Sequence, residues 1–315
     1  MPDSAPSPFS TTLPTFQTHW DSTSLGWFKT CPRLYQYFML EGWSPRSRGM
    51  HLVFGGLYAA ALERYAHARA SGSSHDDATV AMVRWALEAS GERVFGVFIP
   101  WETGDPIKNR HTLIRSLVWN VEDKLTSPFQ THIMHNGKPA VELSFHFEAF
   151  EVAGEPIYLA GHLDEVVVAN GDLWIRDDKT TKGSLGASYF SRYSPDNQMS
   201  LYSIAGKVIL NEPVRGVLVK AAQIGVNFTR FQTQQIPRPQ GVLTEWLSET
   251  ATWIALAHHF AMLGEWPRND KSCDKFGGCV FQKVCSVSPS HRRAWLEEDF
   301  EKRTWNPLEA RGDIT

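Results

Sequence analysis

Asp164, the pair Asp177-Asp178 followed by Lys179, and Gln198 with Tyr202 four residues on are the side chains whose types and spacing could do chemistry. Leu173 to Lys179 alternates, and strand side chains point to opposite faces with period two. Leu173, Ile175, Asp177 and Lys179 then share one face, and Trp174, Arg176 and Asp178 the other. An acid and a lysine two apart project together from the end of such a strand. Paired carboxylates there suit Mg²⁺ or Mn²⁺, hard cations held by one or two carboxylates plus water and substrate phosphate. A bound metal lowers the pKa of a coordinated water and stabilises charge on a phosphate. A lysine beside it orients that water or neutralises the developing negative charge. Alone, each piece is ordinary: Asp-x-Lys at a strand end is commonly a solvated ion pair, and Gln-x-x-x-Tyr a surface pair on a helix. Their order and spacing carry the inference.

The elements that must position them are legible nearby. Ile157 to Val168 reads as a second strand, rich in Val, Leu and Tyr. Ala169-Asn-Gly-Asp172 between the two carries Asn-Gly, the strongest short hairpin signal, so the hairpin brings Asp164 close to Asp177. Val141 to Phe150 alternates as a further strand and carries Glu142. Ser194-Pro195-Asp196 opens the Gln198 helix, with Ser194 as expected N-cap and Pro195 in the first turn. Strands are expected at 214–223 and 228–235, and helices at 24–40, 53–71, 75–91, 107–125 and 241–263. Residues 95–106 read as a connecting loop.

Asp164, Asp177-x-Lys179 and Gln198-x-x-x-Tyr202 resemble the PD-(D/E)XK nuclease superfamily, specifically its RecB-like exonuclease branch. The resemblance implies an α/β fold with a restriction-endonuclease-like αβββαβ core, a helical N-terminal region and a cysteine-clamped C-terminal segment. It implies that Asp164 and Asp177 are metal ligands, that Asp178 offers its backbone carbonyl, and that Lys179 is catalytic. Gln198 and Tyr202 would face the DNA. Strand parity and the position next to the lysine favour Asp177 over Asp178 as the acid. Glu142 resembles a recurrent family acid and reads equally well as a surface strand residue. Where the family pattern places a metal-binding His on an early helix, this chain has Ala59 within Phe54-Gly-Gly-Leu-Tyr-Ala-Ala-Ala-Leu-Glu63. His51, two turns earlier, is the one nearby substitute.

Cys31 stands alone near the N-terminus, and the other three cysteines fall as Cys273-x5-Cys279-x5-Cys285. With no signal-peptide pattern and no run of about eighteen apolar residues, the chain reads as cytoplasmic and away from membranes. Clustered cysteines in that compartment favour metal binding over disulfides. The Cys-x2–4-Cys pairs usual for zinc are absent, and four thiolates are also the usual ligands of a 4Fe-4S cluster. The family resemblance, one cysteine before the core and three after it, implies that cluster, with structural zinc as the alternative.

A 315-residue chain with 42% hydrophobic residues and 12 Trp is long and apolar enough for a buried core. Its net charge of −3 does not announce a nucleic-acid partner, so Lys179, Lys182, Arg192, Arg46 and Arg48 would have to supply a locally positive cleft. The expected layout is a flexible leader over 1–20, a helical region with the first cysteine over 21–135, a nuclease core over 136–265, a cysteine segment over 266–300 and a tail over 301–315. The expected activity is metal-dependent hydrolysis of DNA phosphodiesters, of exonuclease type, in recombination, repair or phage DNA processing. Its expected partners are DNA and a helicase or recombinase, in a bacterial or phage-infected cell. The alternative is a catalytically silent nucleic-acid-binding or scaffold protein on the same fold.

Overall fold

The Asn170-Gly171 turn, with φ of 51° and 82°, joins two strands, Glu155–Ala169 and Asp172–Thr181, in the two-residue geometry that fits the twist of paired strands. Their ladder runs from Ala169↔Asp172 to Glu165↔Arg176, which sets Asp164 next in register to Asp177. On its other edge Asp172–Thr181 pairs in parallel with Val214–Ile224, which pairs antiparallel with Thr229–Pro237. Parallel neighbours need a long crossover, and the helix Asn197–Leu210 supplies it. That helix lies close on the sheet because Gly206 has no side chain: a Cβ there would come within 2.6 Å of Ile175 Cδ1. The order helices, three strands, helix, strands is a mixed α/β architecture, consistent with the restriction-endonuclease-like core.

The computed structural model describes residues 6–46 and 49–309. The first five residues of the expected leader, Arg48 and the last residues of the expected tail lie outside them. The chain forms two compact units. One contains described residues 49–143 and 162–243, hence every side chain of the acid–lysine motif. Its core packs Phe54, Leu57, Tyr58, Ala61 and Tyr65 of the helix Met50–Ala70 with Met82, Leu113, Leu117, Val121 and Ile224. Each large side chain so buried contributes roughly 1.5–3 kcal/mol. The other unit contains described residues 6–46, 144–161 and 244–309, hence all four cysteines. Among the described residues no helix is long and apolar enough to cross a membrane.

Four expectations change. Residues 6–20 are not a free arm: Phe16 and Trp20 are fully buried, and His19–Trp20 pairs with Tyr158–Leu159. The helix expected over 24–40 breaks at Cys31, which is extended (φ −164°, ψ 117°) because Pro32 disfavours a helical residue before it. The Gln198 helix is capped by Asp196, which accepts a bond from the Met199 amide, so Ser194 and Pro195 precede the cap. The stretch 95–106 is not all loop, since Gly91–Val94 and Val97–Pro100 form a hairpin.

Candidate active site

The strand Asp172–Thr181 separates its charged residues by parity. Towards the Asn197–Leu210 helix, Lys179 Nζ lies 3.0 Å from Asp177 Oδ1 and 2.8 Å from Oδ2. The same ammonium donates to Gln198 Oε1 at 2.8 Å, and Gln198 Nε2 donates to the Tyr202 hydroxyl at 2.9 Å. The helix spacing of four stacks Gln198 over Tyr202, and Asp177, Lys179, Gln198 and Tyr202 form one continuous polar chain. Asp177 is buried. Burial, reinforced by the charges of Asp164 and Asp178, pushes its carboxyl up to about 6 although Lys179 pulls the other way. Burial works to lower the Lys179 ammonium, but Asp177, Asp164 and Asp196 outweigh it and hold the group above its ordinary value.

The opposite face is a closed network. Arg176, fully buried, donates from Nε to Asp178 Oδ2 at 2.8 Å and from Nη2 to Oδ1 at 3.2 Å, and lies 3.6 Å from Glu165. Asn120 Nδ2 donates to Asp178 Oδ1 at 3.2 Å and to the Tyr58 hydroxyl at 2.6 Å. Lys124 bridges both Glu165 oxygens at 2.8 Å, and Lys220 meets Asp123 at 2.6 Å and Asn120 Oδ1 at 3.1 Å. Burial would raise the Asp178 carboxyl, but Arg176 and Lys220 hold it below its ordinary value; Lys124 and Arg176 do the same for Glu165. Sequence reasoning weighed Asp178 against Asp177 but missed Glu165, Asn120, Lys124 and Lys220. The i, i+2 parity of Arg176 and Asp178 was the available signal for part of this network. The partners from other elements left none.

The sequence matches the PD-(D/E)XK nuclease superfamily over residues 20–286, a span that takes in all these side chains. The chain belongs to the PD-(D/E)XK nuclease superfamily. Solved structures similar to it at low identity include the following two. One is SSO0001, at 14% identity and TM-score 0.34, over 87% of this chain and 86% of that one. The other is a "Putative exonuclease" from Eubacterium rectale, at 10% identity and TM-score 0.47, over 86% and 94%. No curated protein matches.

The superfamily's usual Mg²⁺ or Mn²⁺ can be tested against the donors present. Among the described residues no three His, Cys, Asp or Glu side chains are grouped as a metal site. The motif offers two carboxylates, Asp164 and Asp177, whose mutual repulsion helps raise the Asp177 pKa. A divalent cation relieves that repulsion, and two carboxylates are enough for an ion that keeps several waters. The donors fit. Asp164 also lines an open cleft with Ala59, Glu63, Asn120, Lys124, Glu142, Arg176 and Asp178. Ala59 thus faces the cleft that contains Asp164, where the family pattern carries a His. Glu142 lines it from a left-handed backbone position, φ 49°. His51 is exposed and does not line the cleft.

Of the basic residues expected to supply a positive cleft, the four described ones each have a local partner, and Arg48 lies outside the described residues. Lys179 pairs with Asp177, Lys182 with Asp105, and Arg192 stacks 4.5 Å from the Tyr189 ring centroid. Arg46, in the other unit, donates to the carbonyls of Glu297 and Glu298.

In that other unit the four cysteines are free thiols that come within electrostatic reach of one another. Burial and then Cys273 and Cys31 push the Cys279 thiol up. Burial also raises Cys285, against Arg33 and with Cys279 and Cys31. The thiols are not grouped as a ligand set, so a 4Fe-4S cluster finds thiols of the right number and neighbourhood without the arrangement. The segments around the cysteines also meet through hydrogen bonds and apolar packing. The Asn269 amide donates to Cys31 Sγ at 3.3 Å, Asn269 and Ser272 side chains donate to the Thr30 carbonyl, and Arg33 donates to the Trp266 carbonyl at 2.7 Å. Phe281 packs with Tyr37, Trp43, Val284, Leu296 and Phe300 around Cys279 and Cys285.

Proposed function

We propose that the chain is a divalent-metal-dependent DNA nuclease of exonuclease type, of the RecB-like branch, acting in recombination, repair or phage DNA processing. What carries the reading is the Asp177–Lys179–Gln198–Tyr202 chain at the end of a strand, with Asp164 facing it. Asp164, Asp177 and the Asp178 backbone carbonyl would hold Mg²⁺ or Mn²⁺. When bound, that ion supplies a water of lowered pKa and charge stabilisation at the phosphate. Lys179, kept protonated by its acids, neutralises the charge that develops on the phosphate oxygens. Gln198 fixes the ammonium's direction, and Tyr202 fixes Gln198. The closed network around Arg176 and Asp178 keeps the strand end rigid, which is what positions a reacting group to within a fraction of an ångström.

The deciding experiment incubates end-labelled single- and double-stranded DNA with the protein and Mn²⁺. Stepwise release of mononucleotides supports the exonuclease, internal fragments mean endonuclease cleavage, and unchanged cleavage by Asp177→Ala or Lys179→Ala removes the site assignment. Ala59 in the cleft favours one second reading, a catalytically silent nucleic-acid-binding or scaffold protein. An intact fold that binds DNA and cuts neither substrate selects it. For the cysteine unit the proposal is a structural 4Fe-4S cluster, with zinc as the competing occupant. Anaerobic purification decides, since an iron–sulfur protein is brown and a zinc protein colourless. A helicase or recombinase partner belongs to the same cytoplasmic reading.

A further inference from the structure

The Gly91–Pro100 hairpin has a tip that folding does not explain. Its turn, Phe95-Gly96, has φ of 49° and 82°, the geometry in which Asn-Gly or Asp-Gly is favoured because both central residues need positive φ. A bulky aromatic in that region is strained, and burial returns nothing, because Phe95 is 101% exposed. Strain held at an exposed position is a mark of function rather than of packing.

The register extends the apolar surface down one face. Val94 pairs with Val97 and Glu92 with Ile99, so these four share a side, and Val94, Val97 and Ile99 are 37%, 66% and 44% exposed. The reverse face is the foot. Phe98 lies over Gly91, where a Cβ would come within 2.3 Å of the ring. The guanidinium groups of Arg93 and Arg110 sit 6.0 and 5.3 Å from its centroid. Arg110 also ties the root, donating to Ser90 Oγ and the Leu87 carbonyl at 3.0 and 2.8 Å.

The segment that leaves the hairpin runs directly to the motif strand. Lys108 donates to Thr180 Oγ1 at 3.1 Å with its ammonium 4.0 Å from the Phe54 ring centroid, and Asp105 pairs with Lys182. Thr180 is the residue after Lys179. The segment that follows the hairpin is therefore fastened to the same strand end that presents the acid–lysine pair.

We infer that this hairpin is a nucleic-acid wedge: Phe95 stacks on the terminal base pair or an unpaired base of DNA led to the motif strand, flanked by the Val94/Val97/Ile99 face, with Arg93 on the phosphate backbone. The inference rests on the nuclease reading for its substrate. Three features favour nucleic acid over a protein partner. Aromatic side chains stack on bases irrespective of sequence, apolar side chains are used as wedges between base steps, and the guanidinium of the reverse face complements phosphate. The tie of the following segment to Thr180 and Lys182 adds that the hairpin and the motif strand are joined by a short, anchored stretch of chain.

The test uses Phe95→Gly, which suits the positive φ and so keeps or raises the melting temperature, and Phe95→Trp, which restores a stacking surface. In the absence of divalent ions, full-length protein is titrated into a blunt DNA duplex carrying 2-aminopurine, a fluorescent base, at its end. Wild type and Phe95→Trp are expected to bind and change the emission, and Phe95→Gly to bind at least tenfold more weakly. With Mn²⁺, Phe95→Gly is expected to lower the ratio of duplex-end to single-strand cleavage at least tenfold. Equal behaviour of Phe95→Gly and wild type in the titration overturns the wedge. So does a wild type that leaves the duplex unbound, which would assign the tip to a protein contact. If wild type cuts neither substrate, the nuclease reading fails, and the titration still decides the role of Phe95 on its own.

Discussion

The two faces of the Asp172–Thr181 strand carry similar residues and do opposite things. On the Arg176 face three cations, Arg176, Lys124 and Lys220, meet three acids, Asp178, Glu165 and Asp123. Charge and hydrogen-bonding capacity balance, and the buried carboxylates stay below their ordinary pKa. On the other face Lys179 answers to Asp177, Asp164 and the helix cap Asp196, which also acts on Arg238, and Asp177 is pushed up to about 6. The paired face also lines the cleft that contains Asp164. On the proposed reading, a divalent cation held by Asp164 and Asp177 would add positive charge where the Asp177 carboxyl is raised. Adjacent residues Asp177 and Asp178 thus shift in opposite directions, the first facing Lys179 and the second Arg176 and Lys220.

The comparison breaks most sharply on activity. Lys179→Ala or Asp177→Ala is expected to lower cleavage by about 10³-fold or more, the scale of losing a group that acts at the reacting atoms. Stability should change far less, so circular dichroism and urea titration of the same samples give the control. Asp178→Ala should do the reverse. Removing Asp178 strips the buried Arg176 of both hydrogen bonds and leaves it only Glu165 at 3.6 Å, a loss that approaches the roughly 3–5 kcal/mol of a broken buried pair, read as a lower urea midpoint. If Asp178→Ala spared stability and abolished cleavage, the two faces would have to exchange roles.

The next effect is titration. The folded-state pKa of Asp177, about 6, lies above its ordinary 3.8. Between those values the folded protein holds a proton that the unfolded chain has released, so this group's contribution to stability falls as pH rises from about 4 to 6. A metal needs the ionised carboxylate. Its affinity should therefore weaken about tenfold per pH unit below pH 6 and level off above it. Calorimetric titration with Mn²⁺ at pH 5 and at pH 7.5 checks the sign; equal affinities would mean that Asp177 does not bind the ion.

What the sequence made legible follows the distance over which its rules act. The parity of Asp177 and Lys179 and the Asn170-Gly171 turn are local, and both appear where expected. The break at Cys31 was also local, written in Pro32 and overridden by an apolar pattern that ran on through it. The hairpin at Gly91–Pro100 hid because its turn uses Phe95 where a turn residue is expected. The Arg176 network was illegible for another reason: Asn120, Lys124 and Lys220 come from other elements, and a lone Lys on a helix reads as surface. Lys124 and Lys220 lose their ordinary solvation on folding, and only the assembled unit shows what replaces it.

The smallest expected effects sit at the end of the polar chain and sharpen the comparison most finely. Gln198→Ala deletes the acceptor that fixes Lys179 and leaves the Asp177 ion pair intact, so a loss of about tenfold in cleavage is expected, the scale of one hydrogen bond to a charged group. Tyr202→Phe removes only the hydroxyl that receives Gln198 Nε2 at 2.9 Å. Gln198 keeps Lys179, and the cost should be a few-fold, under about 1 kcal/mol. If Tyr202 acts through Gln198, Tyr202→Phe made on top of Gln198→Ala should cost nothing further, and the double-mutant cycle should show a coupling as large as the single effect. Additive losses would mean that the hydroxyl contacts substrate directly. Tyr202 would then belong to the open face as a binding group and not as the last support behind Lys179.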